Sequence, residues 1–216
     1  MIITSSPLQW SDLWFILQGI GNTLIVSVIA GIAGTLLGGL LGWAREVSLI
    51  ARIVAAPLVD VVRAVPLIIQ FILTGSFLSI AGFPMDPVFF GTIVLSLYMG
   101  VLTSELVRAG LAAVPEQMRK SARSLGMTYL QEMFWISLPT AIRTSLPGWI
   151  GLVLGLIKDT SLLGVVGYVE LLRATRILDA RTHQTLLLLV GVGIFYFIIC
   201  YPVSRYSRLI EGKLLK

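Results

Sequence analysis

Apolar residues form long runs in this chain, and most polar residues lie in the segments between those runs. A helix that crosses a membrane needs about 20 predominantly apolar residues, because the hydrocarbon core of a bilayer is about 30 Å thick. The pattern predicts five membrane-spanning helices, at residues 13–43, 57–81, 88–111, 139–157 and 185–201. These helices use up the chain, so we predict a single transmembrane domain over residues 1–216 with no separate soluble domain.

The first predicted span is longer than a bilayer requires, so we expect it to tilt or to project into water. Its glycines recur at steps of three and four residues, which places them on one helix face in two overlapping GxxxG patterns. These glycines are Gly31, Gly34, Gly38 and Gly42. Small residues at this spacing let another helix approach closely, so we predict a packing face. Residues 1–10 contain no basic n-region, and we expect the first span to be retained rather than cleaved.

The composition agrees with extensive lipid contact. Of the 216 residues, 56% are hydrophobic and only 12% are charged, whereas a soluble domain usually carries about 25% charged residues. The formal net charge is +5. Because the basic residues lie mostly between the apolar runs, they suit contact with a lipid bilayer that contains anionic lipid, and we expect no nucleic-acid partner.

The distribution of basic residues predicts the orientation. Residues 1–12 and 82–87 contain none, whereas the segments after the first, third and fifth spans contain several. Basic residues are enriched on the cytoplasmic side, so we predict an external N-terminus and a cytoplasmic C-terminus. One segment disagrees, because residues 158–183 would be external and yet carry Lys158, Arg173, Arg176 and Arg181. Either this segment is partly embedded in the protein or its charges serve a transport path.

The polar stretch at residues 115–138, which we call the hairpin loop, has the local signals of two short helices. Pro115 suits a helix start, and Gly126 suits the left-handed position that ends a helix. Thr128 followed by Gln131 forms a capping-box pattern that starts the next helix. A rigid short helix could sit in a groove on a partner protein, or the stretch could be an amphipathic connector on the membrane.

The hairpin loop resembles the cytoplasmic signature of permease subunits of ATP-binding-cassette (ABC) importers. In that family the pattern is Glu-Ala-Ala, three residues, Gly, nine residues, then Ile-x-Leu-Pro. Here Gly126 is followed after nine residues by Ile136-Ser137-Leu138-Pro139. The first part departs from the pattern, since Lys120 and Ser121 replace its first two residues and only Ala122 agrees.

Further segments narrow the resemblance to the polar amino-acid branch of these permeases, the type that carries His, Glu, Gln, Arg or opines. They lie in the family's order and spacing at residues 60–67, 105–110, 122–127, 158–162 and 170–171. Together they cover most of the chain from about residue 22 to residue 211.

The resemblance implies an all-α integral membrane fold, with five transmembrane helices and a cytoplasmic coupling-helix loop, as in type I ABC importers. Such a subunit forms half of a translocation pore and works by alternating access in the bacterial cytoplasmic (inner) membrane. The implied partners are ABC ATPase subunits, a second permease subunit (a copy of this chain or a homologue) and an extracytoplasmic substrate-binding protein. No cofactor is expected. The chain has no GxxxxGK[ST] phosphate loop, which fits a permease that leaves ATP hydrolysis to another chain.

Two sets of residues are the candidates for function. The resemblance implies that the ATPase contacts the first set, which is Lys120, Ser121, Ala122, Arg123, Ser124, Leu125 and Gly126. It also implies substrate contact just after the fourth span, at Asp159, Thr160 and Ser161. An amino-acid substrate presents an ammonium, which Asp159 could bind, and a carboxylate, which the two hydroxyls or nearby backbone amides could bind. Alternatively, Asp159 only caps a short following helix.

Other interpretations stay open. Asp60 and Arg63 are spaced by one helical turn, as are Glu105 and Arg108. Each pair is either a local ion pair or part of a gate or an ATPase contact. The cargo could instead be an opine, an ectoine-like solute or a sulfur amino acid, and a membrane scaffold without transport is a further alternative. We expect no catalytic residue and no metal site, because the lone His183 and Cys200 have no ligand cluster around them.

Overall fold

The computed structural model describes residues 8–214, with side chains to residue 212, and within this range every regular element is helical. The α-helices are α1 Trp10–Val47, α2 Leu49–Ala64, α3 Leu67–Ile80, α4 Pro87–Ala112, α5 Glu116–Ser124, α6 Tyr129–Glu132, α7 Leu138–Asp159, α8 Leu171–Thr182 and α9 Thr185–Leu214. The predicted all-α membrane fold is confirmed. The segment at residues 1–10, predicted to lack a basic n-region, falls largely outside the described residues, as does Lys216.

Four helical stretches in the described part of the chain are long and apolar enough to cross a membrane. They are Trp10–Val47, Pro87–Ala112, Tyr129–Val166 and Thr185–Gly212. The bent pair of α2 and α3 provides a fifth crossing if the two helices act as one span.

The structure differs from the continuous helix predicted at residues 57–81. Helix α2 already begins at Leu49, and the axis turns by 107° between α2 and α3. The cause is Pro66, which cannot donate a backbone hydrogen bond and disfavours helical geometry in the preceding residue. Val65 is accordingly extended, with φ −86° and ψ 128°. The Gln70 amide donates to the carbonyl oxygens of Val62 and Val65, at 2.8 and 2.9 Å, and so satisfies groups that the break releases.

Helices α1 and α4 form the most extensive packing pair, and the glycines of α1 make it possible. A Cβ at Gly34 would lie 2.6 Å from Met99 Cβ, and one at Gly42 would lie 2.8 Å from the Ser104 carbonyl oxygen. Gly38 faces α4 in the same way. The predicted packing face is therefore confirmed for these three glycines. Gly31 instead faces Leu156 of α7, at 3.4 Å.

The main apolar cluster lies where α1, α3, α4, α7 and the turn after α7 meet. Its most buried members are Val26, Ala30, Phe71, Leu95, Met99, Leu156 and Leu163. It anchors the end of α7, and therefore holds the segment that follows α7 in a fixed position.

The segment at residues 158–183, whose basic residues disagreed with the predicted topology, is partly embedded in the protein. It forms a 3-10 helix over Thr160–Val166, turns at a left-handed Gly167 and continues as α8. The Asn22 amide donates to the Val169 carbonyl oxygen at 2.8 Å, and the Leu171 N–H donates to the Thr23 hydroxyl at 3.2 Å. Only one face of α8 packs against α1 and its neighbours, so Lys158, Arg176 and Arg181 remain exposed.

Candidate functional site

The three predicted substrate residues follow one another along a helix and point in different directions. Asp159 is half-buried and makes no side-chain cap hydrogen bond to the 3-10 helix. The capping alternative for Asp159 is therefore wrong. Thr160 is fully buried, and its hydroxyl donates to the Ile157 carbonyl oxygen at 2.7 Å. Ser161 lines a separate cleft.

The cleft beside Ser161, which we call the α8 cleft, has a volume of about 470 Å³. Its polar lining also includes the side chains of Glu170, Arg173 and Arg176, and apolar residues of α3 and α8 complete it. Ser161 lies on the 3-10 helix and the three charged residues lie at the start of α8, and the turn at Gly167 brings the two elements together around the cleft. Of the predicted trio, only Ser161 belongs to this site.

Glu170 is a fully buried carboxylate that starts α8. It accepts hydrogen bonds from the backbone N–H groups of Leu172 and Arg173, each at 2.7 Å. Burial raises the pKa of the Glu170 carboxyl, although the two backbone donors and the guanidinium groups of Arg176 and Arg173 act in the opposite direction. The side chain is thus a helix cap whose oxygens are already engaged.

The hairpin loop has the local structure that its sequence predicts. Pro115 precedes α5, and Gly126 is left-handed with φ +87°. The Met127 N–H donates to the Ala122 carbonyl oxygen and the Gly126 N–H to the Arg123 carbonyl oxygen, which is a Schellman ending. Thr128 and Gln131 form the predicted reciprocal capping box of α6. These local predictions are confirmed.

A buried carboxylate in α6 stabilises the hairpin loop from within. Glu132 is 1% exposed and accepts a hydrogen bond from the Ser137 hydroxyl. The guanidinium groups of Arg119 and Arg123 lie 3.9 and 3.8 Å from its oxygens. Arg119 also donates to the carbonyl oxygen of Leu111 at 2.7 Å, which connects the loop to the end of α4. The sequence pattern did not predict this cluster, although Glu132 stands just before an apolar run.

Most of the predicted coupling residues face outwards. Ala122 is buried, so the one residue that matches the family's Glu-Ala-Ala pattern is the one that lets α5 pack closely. Lys120 pairs with Glu116 one turn earlier, at 2.8 Å and in solvent. Leu125 is 86% exposed at the tip of the loop.

Glu105 connects three helices through arginine side chains. Its carboxylate lies 2.6 Å from Arg45 of α1, 3.5 Å from Arg63 of α2 and 3.2 Å from Arg108 of α4. The predicted Glu105–Arg108 pair is therefore present. Among the described residues Asp60 forms no ion pair, because Arg63 is directed to Glu105 instead. No group of residues in the described range 8–214 could hold a metal ion.

A sequence model of one family matches most of the chain. The family is described as binding-protein-dependent transport system inner membrane components, and the match covers residues 34–216.

Individual relatives match from end to end. The L-cystine transport system permease protein TcyB of Bacillus subtilis is 30% identical, over 93% of this chain and 87% of that protein. The probable amino-acid ABC transporter permease protein YckA of the same organism is 31% identical, over 92% and 88%. The glutamine transport system permease protein GlnP of Escherichia coli is 28% identical, over 95% and 97%.

Solved structures share the fold. The crystal structure of an amino acid ABC transporter with histidines superposes with a TM-score of 0.86 at 24% identity, over 96% of this chain and 100% of that chain. An inward-facing structure of the MetNI methionine ABC transporter superposes with a TM-score of 0.76 at 18% identity, over 94% and 99%. At these identities the likeness concerns the fold.

Proposed function

We propose a function from one premise: the chain belongs to the family of inner membrane components of binding-protein-dependent transport systems. It is a permease subunit of an ABC importer and not an enzyme, since ATP hydrolysis in this family takes place on a separate subunit. Membership implies a multi-pass location in the inner membrane and three kinds of partner, namely an ATPase, a substrate-binding protein and a second permease. A scaffold without transport does not agree with this membership.

The proposed cargo is a polar amino acid. The observation that carries this proposal is similarity over nine-tenths of the chain to permeases named for cystine, glutamine and other amino acids. The similarity covers the membrane helices that would line a substrate path. It is therefore not limited to the hairpin loop, which importers of many different cargoes share. The cystine permease among the relatives also keeps the sulfur amino acids within the proposed class.

The proposed orientation places the hairpin loop and the C-terminus in the cytoplasm and the N-terminus outside. Its support is the placement of basic residues between the spans.

The proposed ATPase contact is the exposed surface of residues 120–126. Its rigidity supports this role, since the Schellman ending at Gly126 and the buried Glu132 cluster fix α5 relative to the membrane helices. A fixed helix transmits a movement that a flexible connector would absorb.

Leu125→Asp tests this contact. Leu125 is 86% exposed, so the substitution removes little intramolecular packing, but an aspartate buried at the ATPase interface would be an unpaired charge. We expect co-purification of the ATPase with the permease to fall at least about tenfold, as for loss of a central interface residue. Leu130→Asp is the control, because Leu130 is also exposed but lies on α6. Equal co-purification of the ATPase with both variants would contradict the proposed contact.

The substrate contact is proposed at Asp159 and Ser161, with Thr160 as a buried neighbour that positions them. Cells that lack this chain are expected to lose ATP-dependent uptake of at least one of cystine, glutamine and arginine. Wild-type protein should restore that uptake, and Asp159→Asn should restore less than about a tenth of it because the ammonium loses its charged partner. Normal uptake without the chain would overturn the amino-acid assignment, whereas full activity of Asp159→Asn would remove only Asp159 from the site.

A further inference from the structure

Helix α8 has one face buried in the protein and one charged face. The buried face packs against α1 and neighbouring elements through Leu171, Ala174, Thr175, Leu178 and Thr182. The opposite face contributes Arg173, Arg176, Ile177 and Ala180 to the α8 cleft. Arg176 is exposed there, and within the described residues it forms no hydrogen bond or close ion pair.

The level of α8 along α1 makes an exposed arginine unusual. Near its start α8 packs on Gly19, where an added Cβ would lie 3.1 Å from Ala174 Cβ, and near its end Arg181 pairs with Asp12. Arg176 therefore lies between these two contacts, at the level of Trp14 and Leu17 along α1, which are large exposed apolar side chains. A charge at an apolar level is costly against lipid, so such side chains face a water-filled path or a partner group.

Arg176 differs from its polar neighbours on α8 because its side chain is exposed and no other described residue holds it in place. Arg173 donates to the carbonyl oxygen of Gly164 and is thereby fixed to the 3-10 helix. Both oxygens of Glu170 accept backbone N–H groups. The Thr160 hydroxyl is bound to its own helix. The Nε of Arg173 has no hydrogen-bond partner but is buried. The exposed Arg176 and the partly exposed Ser161 hydroxyl are thus the accessible polar groups of the α8 cleft.

We propose that Arg176 binds the α-carboxylate of the transported amino acid, with the Ser161 hydroxyl as a second donor in the α8 cleft. A guanidinium presents paired N–H donors that match a carboxylate. A cleft of about 470 Å³ is within the size range of small-molecule sites. The inference rests on the proposed function, and it moves recognition of the carboxylate from Thr160 to α8.

The test is direct binding to the complete membrane complex of this chain, its permease partner and the ATPase. The probe is whichever radiolabelled amino acid among cystine, glutamine and arginine the wild-type complex transports, and the competitor is the α-carboxamide of the same amino acid. Wild type should prefer the free acid to the amide. Arg176→Gln should bind the free acid at least about tenfold more weakly and lose that preference. Arg143→Gln is the matched control, because Arg143 is an exposed arginine of α7 outside the cleft.

Each outcome decides the inference. Unchanged affinity of Arg176→Gln would overturn it, and so would weaker binding that keeps the preference for the free acid, since the lost contact would then not be with the carboxylate. If Arg176→Gln fails to assemble, Arg176→Lys retains the charge but loses the paired donors, and its affinity should fall several-fold. Unchanged affinity of the lysine variant overturns the inference in that case. If the wild-type complex, supplied with its substrate-binding protein, transports none of the three amino acids, the proposed amino-acid cargo falls, and the inference with it.

Discussion

Gly38→Leu is expected to remove the folded protein from the membrane almost completely, whereas Gly39→Leu leaves its level unchanged. A Cβ at Gly38 would overlap the backbone carbonyl oxygen of Gly100 and crowd the Thr103 side chain, while a Cβ at Gly39 meets nothing within 4 Å. The obstacle at Gly38 is backbone of α4 and cannot rotate away. The two helices would have to separate along their main contact, at a cost of about 3 kcal/mol or more.

The measurement is the amount of monodisperse protein recovered from membranes after mild detergent extraction. We expect Gly38→Leu to give less than about a tenth of the wild-type yield, because the cost is comparable to the whole stability of many proteins. The two substitutions add the same side chain at adjacent positions, so they differ only in the face of α1 that receives it. Similar yields of the two variants would show that α1 and α4 do not pack through this face.

Glu105→Gln is expected to destabilise the folded protein by about 3 kcal/mol, because it leaves a buried arginine without its counter-charge. The Arg45 side chain is 7% exposed and lies 2.6 Å from Glu105. Arg63 and Arg108 are about half exposed, and exposed ion pairs contribute roughly 1 kcal/mol or less. Removing Arg63 should therefore have a much smaller effect than removing Glu105.

Thermal unfolding of the purified protein measures this difference. We expect the midpoint to fall by roughly 10 °C in Glu105→Gln, using the usual relation between stability and melting temperature for a chain of this size. Asp60→Asn is the matched control, since Asp60 is an exposed carboxylate on α2. If Arg63→Gln lowered transport strongly while stability stayed normal, the Glu105 cluster would act as a gate between helices rather than as an anchor.

The hairpin loop shows what short-range patterns can predict. Pro115, Gly126 and the Thr128–Gln131 pair each act on backbone groups within a few residues, so the geometry follows from the local sequence. Glu132 was not predicted, because its burial depends on how α6 returns towards α4. The hydrogen bond from Arg119 of α5 to Leu111 of α4 fixes one of the arginines beside Glu132, and it spans eight residues and a change of direction.

Elementary helix geometry argues against the prediction that three consecutive residues all contact the substrate. Adjacent residues of a helix point about 100° apart and do not share a face, so Asp159, Thr160 and Ser161 could not all line one site if the helix continued. It does continue, as the 3-10 helix Thr160–Val166. The signal for Arg176 was also present, since the basic residues at 158–183 contradicted the predicted topology.

The sequence by itself determined the membrane environment, the helical type of the elements and the turns of the hairpin loop. Each of these depends on nearby residues, through the length of the apolar runs, the helix caps and the spacing of the α1 glycines. It also carried the importer resemblance, which family membership confirms. The tertiary structure decided the 107° turn at Pro66, the choice of Glu105 over Asp60 as the partner of Arg63, and the placement of α8 against α1. Each of these depends on groups distant in sequence coming within a few ångströms, and no local pattern specifies which of several possible partners the packed helices bring together.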